Sequence, residues 1–142
     1  MGTWGTGPFD NDTAADFAGD LDDASPGERE GLVRGVLARA VKATGDLAWP
    51  EQAVAAAALI AAQCPGGQPV ETAYGPRQPL PSFPHDLREL AARALERVLA
   101  DEWLPGTWVD PADARQWLAS VKVLRDVLDP PPASPDVPLF DL

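Results

Sequence analysis

A row of carboxylates follows a run of glycines and aromatic rings near the start of the 142-residue chain. Residues 4–12 read Trp-Gly-Thr-Gly-Pro-Phe-Asp-Asn-Asp, and further aspartates follow at positions 16, 20, 22 and 23. Carboxylate oxygens are hard ligands of the kind that calcium and magnesium prefer. One interpretation is therefore a divalent-cation site formed by Asp10, Asp12 and Asp16. An anion site at the glycines is disfavoured, because this run contains no Lys or Arg.

The spacing of the aspartates indicates a shared helix face more strongly than a known cation-binding loop. Asp12, Asp16 and Asp20 stand at i, i+4 and i+8, which stacks three carboxylates on one side of a helix. The EF-hand pattern fails, because Ala15 occupies its sixth position and Leu21 its twelfth. We keep the cation site as an alternative and expect no cofactor.

A structural role explains the same run with fewer assumptions. Glycines let the backbone bend tightly, two aromatic rings anchor it on the core, and Asp10 or Asn11 caps the first helix. Asp12 then complements the dipole of that helix. The motif that we expect to join the entry segment to the fold comprises Trp4, Gly5, Gly7, Phe9, Asp10, Asn11 and Asp12.

The chain has one cysteine, Cys64, and one histidine, His85. A single cysteine excludes an internal disulfide and fits a reducing compartment. Neither residue carries the flanking signature of a catalytic pair, so we expect structural roles for both and no catalytic residue. One enzymatic alternative remains, a divalent-metal-assisted hydrolase that uses the aspartate cluster with His85 as general base. It requires His85 to lie close to that cluster in space.

The net charge of −11 is concentrated at the two ends of the chain. Residues 1–30 carry eight acids and one base, residues 31–128 are nearly balanced, and the last fourteen residues add three aspartates. Direct binding of nucleic acid needs clustered Lys and Arg and is therefore disfavoured. A basic protein partner is compatible with this field, and solubility alone is the simpler explanation.

Five tryptophans form a second group of unusual residues. Four of them fall near the ends of predicted helices, where a large ring seals a small core. Trp103 and Trp108 flank a Pro-Gly turn and are the candidates for an exposed partner surface.

Helical periodicity and strong helix caps recur along the chain, whereas strand alternation does not. The predicted helices span about residues 12–22, 26–43, 50–63, 85–100 and 111–128. Ser25, Pro26 and Glu28 form a capping box with proline at the first helical position. Alanines dominate the third helix, so we expect it to be the central, buried one. A long proline-rich loop separates it from the fourth.

These elements predict an all-α fold, a single small bundle of four to five helices. A Gly/Trp-rich N-terminal strap precedes the bundle and a proline-rich acidic tail follows it. We assign residues 1–129 to the helical domain and residues 130–142 to the tail. No targeting or membrane-spanning segment is visible, so we expect a cytoplasmic protein that does not bind membranes.

Residues 1–17 as a whole resemble a bacterial family of domains of unknown function, number 4259 in its series. The family pattern is Trp-Gly-x-Gly-x-Phe-x-(Asn/Asp)-Asp leading into a helix, and residues 4–12 carry it here. Phe17 stands where tryptophan is usual in the family. The resemblance implies a small single domain of bacterial origin and brings no catalytic residue. Taken with the acidic ends, it favours a non-enzymatic interaction or regulatory protein, for example one of immunity type.

Overall fold

Helices account for every regular element in the part of the chain that the structure describes. The computed structural model describes residues 9, 12–43, 50–64, 67, 75–78, 80–100 and 111–129. The helices are α1 (Asp12–Asp23), α2 (Pro26–Lys42), α3 (Pro50–Ala61), α4 (Asp86–Leu99) and α5 (Pro111–Leu128). The all-α prediction is confirmed. The N-terminal strap before Phe9 and the tail from residue 130 lie outside the described residues.

The helix ends follow the local capping chemistry. Pro26 opens α2, and the backbone N–H of Ser25 donates to the Glu28 carboxylate at 3.3 Å, one half of the predicted capping box. α3 ends at Ala61, two residues before its predicted end. The chain tightens there, because the N–H groups of Gln63 and Cys64 bond to carbonyls only three residues back.

The core is built around α3, as its alanine content predicts. Every residue from Ala53 to Ala61 is buried, and the other four helices all pack against this one. Small side chains allow helix axes to approach closely, so one helix can be enclosed on all sides. The neighbours supply the large apolar groups, which include Leu21, Leu37, Leu87, Leu95, Val98 and Trp117.

The helical spacing of Leu32, Val33, Val36, Leu37 and Ala40 predicts an apolar stripe on α2, and Leu32 departs from it. Its side chain is 38% exposed, whereas Val33, Val36, Leu37 and Ala40 are buried. A stripe that occupies two adjacent positions in each turn is wider than the surface that the neighbouring helices cover, and Leu32 lies at its outer edge.

None of the described helices combines the length and the apolar character that crossing a membrane requires.

A buried arginine joins α1 to α2. Arg29 is 6% exposed, and its Nε donates to the carbonyl of Leu21 at 2.9 Å. One terminal nitrogen donates to the carbonyl of Ala24 at 3.0 Å. The last carbonyls of a helix have no partner within that helix, so a cation that donates to them stabilises the helix end and its dipole.

We expect Arg29→Met to lower the free energy of unfolding by about 2 kcal/mol. Methionine keeps the length of the buried stem but removes hydrogen bonds from a charged donor to the end of α1. Urea unfolding followed by circular dichroism measures the change. The control is Arg34→Met, which removes two exposed ion pairs, with Glu30 and Asp86, and should have a clearly smaller effect. Equal effects of the two variants would contradict the role assigned to Arg29.

Gly31 and Gly35 of α2 are not required by any close contact. A Cβ added to Gly31 would meet nothing within 4 Å, and one added to Gly35 would lie 3.9 Å from Arg39 Nη1. Gly67 differs, because a Cβ there would overlap the carbonyl of Ala61.

We therefore expect Gly31→Ala and Gly35→Ala each to raise the free energy of unfolding by up to about 1 kcal/mol, since glycine is the poorer helix former. Gly67→Ala should lower the melting temperature, because the new methyl group meets backbone that cannot move aside. Thermal melting of the three variants tests the pair of expectations. Loss of stability in both α2 variants would show that something packs against that face.

Candidate functional site

The solvent-facing side of α1 carries an unbroken row of carboxylates. Asp12, Asp16, Asp20 and Asp23 are all exposed, and α1 contains no Lys or Arg. None of the four takes part in an ion pair within the described part of the chain. We call these four residues the acidic row. Asp12, Asp16 and Asp20 lie along one helix as their spacing predicts. Asp23, which lies just beyond the predicted helix, is part of α1 and adds a fourth negative charge to this surface.

The opposite side of α1 explains why the acidic row faces water. Ala14, Phe17, Ala18 and Leu21 are buried, and α1 packs through this side against α3. Phe9, just before the helix, is 2% exposed and belongs to the same core. An amphipathic helix held in this way has its polar side fixed outward. The row is therefore positioned by the core and not by contacts among the carboxylates.

Charges elsewhere on the surface are arranged differently. Arg34 of α2 pairs with Asp86 of α4 at 2.8 Å, and Arg125 of α5 pairs with Glu96 of α4 at 2.8 Å. The hydrogen bond from Arg34 holds the pKa of Asp86 below its usual value of 3.8. Asp86 and Glu96 of α4 are thus matched by arginines on adjacent helices. The acidic row has no such match among the described residues, so no ion pair there offsets its negative charge.

Asp22 belongs to α1 but not to the acidic row. Its carboxylate is half-buried and accepts the backbone N–H groups of Arg77 and Gln78 at 2.8 and 2.9 Å. These partners lie 55 and 56 residues further along the chain. In the sequence, Asp22 is one more aspartate of the run that includes positions 16, 20 and 23. Local spacing carries no signal for a contact at a separation of 55 residues.

The structure describes two of the three aspartates that form the alternative cation site. Within the described residues, no group of three or more His, Cys, Asp or Glu side chains is arranged to hold a metal ion. Asp12 and Asp16 are exposed, and Asp10 lies outside the described residues. The three-residue cation site therefore stays a prediction.

Cys64 and His85 occupy different surroundings. Cys64 is buried after the end of α3, and its thiol donates to the carbonyl of Ile60 at 3.4 Å. His85 is exposed and immediately precedes α4. α4 packs against α2, α3 and α5, whereas the aspartates of the proposed hydrolase site lie on or before α1, which packs against α3. The helix packing thus offers no support for bringing His85 to that cluster.

Of the remaining candidate residues, most fall where the structure is not described. These are Trp4, Gly5, Gly7, Asp10, Asn11, Trp103 and Trp108. Their assigned roles, in the N-terminal motif and in a partner surface, remain predictions. Phe9 of this motif is described, and its side chain is buried in the core.

We expect Phe9→Ala to destabilise the protein by about 3–5 kcal/mol, because a fully packed ring leaves a cavity. If the motif is architectural, wild-type melting should be the same with calcium and with EDTA. Thermal melting of wild type, Phe9→Ala and Asp12→Ala under both conditions measures this. A calcium-dependent rise in the wild-type melting temperature that Asp12→Ala abolishes would instead establish a metal site.

The sequence model of the family described as Domain of unknown function (DUF4259) matches residues 2–120. The chain matches no curated protein and no solved structure.

Proposed function

Because the chain belongs to DUF4259, a family whose description states no activity, we propose from its surface that it is a non-enzymatic interaction protein. Its acidic row is the binding surface, and its partner is a basic protein. A regulatory role, including one of immunity type, is a form of this proposal. In this proposal, the protein binds its partner in the cytoplasm of a bacterial cell.

The observation that carries the proposal is the contrast between two parts of the surface. Arginines of α2 and α5 pair with acids of α4, while the acidic row faces solvent without a described basic partner. Like charges four residues apart on a helix are mutually destabilising by roughly 0.2–0.5 kcal/mol. A cationic partner neutralises the acidic row when it binds and so reduces this repulsion. The reduced repulsion makes the free energy of binding more favourable.

The acidic row also suits rapid association. Charges of one sign on one surface steer an oppositely charged partner during its approach, and salt screens this effect. Binding through exposed carboxylates should therefore weaken steeply between low and physiological ionic strength. Such a dependence separates this surface from an apolar one, whose affinity changes little with salt.

The decisive comparison is between neutralising the acidic row and neutralising three acids elsewhere. The test variant is Asp16→Asn/Asp20→Asn/Asp23→Asn, which leaves Asp12 to complement the dipole at the start of α1. The matched control is Glu89→Gln/Asp113→Asn/Asp129→Asn, which removes the same charge from exposed positions on or just after other helices. The probe is a fluorescent decalysine peptide, titrated at low and at physiological salt.

We expect the test variant to bind the probe at least about tenfold more weakly than wild type, and the control variant to bind within about twofold of it. Circular dichroism confirms that both variants are folded. Equal losses in the two variants would show that binding follows net charge and would contradict a dedicated surface. Retained binding in the test variant would exclude the acidic row altogether.

A further inference from the structure

A short segment between α3 and α4 is attached to the bundle by side chains and not by backbone pairing. This clamped segment comprises residues 75–78 and 80–83. At one end, the Asp22 carboxylate accepts the N–H of Arg77 at 2.8 and 3.1 Å and the N–H of Gln78 at 2.9 Å. An ionised acceptor that binds two successive N–H groups forms stronger hydrogen bonds than a neutral one.

The other end of the clamped segment is held by Gln63, which follows α3. Its Nε2 donates to the carbonyl of Pro81 at 2.9 Å, and its Oε1 accepts the N–H of Phe83 at 2.9 Å. A side-chain amide that donates and accepts in this way satisfies two groups of an extended backbone at once. One side chain thereby replaces the pairing that a neighbouring strand would supply.

Between and beside these clamps, the clamped segment contacts the bundle through apolar side chains. Leu80 and Phe83 are partly buried and pack against the core. In the part of the chain that the structure describes, no backbone-to-backbone hydrogen bond joins residues 75–83 to a helix. Among the described residues, this attachment is made by the side chains of Asp22, Gln63, Leu80 and Phe83, together with the buried Gly75.

We infer that the clamped segment opens as a unit while the helices stay folded, and that Asp22 and Gln63 set the opening equilibrium. Segments with few buried contacts and exposed hydrogen bonds open at a lower free energy than the whole domain unfolds. Opening withdraws Leu80 and Phe83 from the core and uncovers the apolar surface beneath them. The clamped segment is thus a closure built into the fold, and it works whether or not the acidic row binds a basic partner.

Amide hydrogen exchange of the full chain, followed by NMR, tests this inference. The amides to follow are those of Arg77, Gln78 and Phe83, with amides inside α3 and α4 as reporters of global unfolding. We expect Asp22→Ala to speed exchange at Arg77 and Gln78 by at least about tenfold, because it removes a charged acceptor. Gln63→Ala should do the same at Phe83, and because the segment opens as a unit, each variant should also speed exchange at the amides held by the other clamp. Acceleration confined to the amides of the altered clamp would contradict opening as a unit. Exchange inside α3 and α4 should remain at the wild-type rate in both variants.

The matched control is Asp20→Ala, which removes an exposed carboxylate two residues before Asp22 and should leave all these rates unchanged. Low concentrations of guanidinium provide a second readout, because a local opening exposes little surface and responds weakly to denaturant. Equal acceleration in the clamped segment and in α3 would overturn the inference, since the segment would then open only when the bundle unfolds. Unchanged exchange in both clamp variants would overturn it as well.

Discussion

The architecture depends on one helix being enclosed from all sides. From Ala53 to Ala61 every side chain of α3 is buried, and four helices pack around it. This is possible because most of these residues are alanines, which let the surrounding helix axes approach closely. Alanine itself buries little area, so much of the apolar surface must come from leucines, valines and Trp117 on the neighbours. The amphipathic character of the other helices is a consequence of this arrangement.

Polar side chains form hydrogen bonds with backbone groups that the helices themselves do not pair. Arg29 donates to carbonyls at the end of α1, Asp22 accepts two N–H groups of the clamped segment, and Gln63 binds one carbonyl and one N–H. In each case one side chain holds a non-repetitive part of the chain against a helix. Buried or half-buried backbone groups need partners, and loops have no ladder to provide them. Among the described residues, polar side chains therefore attach the non-helical segments to the helices, while apolar side chains pack the helices together.

Local chemistry in the sequence predicts the helices and the exposure of the acidic row, and it does not predict the clamps. Proline and capping residues mark the start of α2, and four-residue spacing places Asp12, Asp16 and Asp20 on one face. The predicted end of α3 is wrong by two residues, because the tight turn after Ala61 continues the helical pattern of residue types. Asp22 and Gln63 contact residues 55 and 18 positions away, and such contacts leave no periodic trace. Leu32 shows the same limit, since only the neighbouring helices decide how much of an apolar stripe is covered.

Enclosure of α3 has an evolutionary consequence. At Ala55, Ala56 and Ala57, which are fully buried, each added methyl group must displace a side chain or a whole helix. A change of volume there is tolerated only with an opposite change on the facing helix. Drift at the centre of the bundle should therefore proceed by paired substitutions, with small residues exchanged between α3 and its neighbours. The outer faces of the neighbouring helices carry no such constraint, so the surface can diversify while the centre changes slowly.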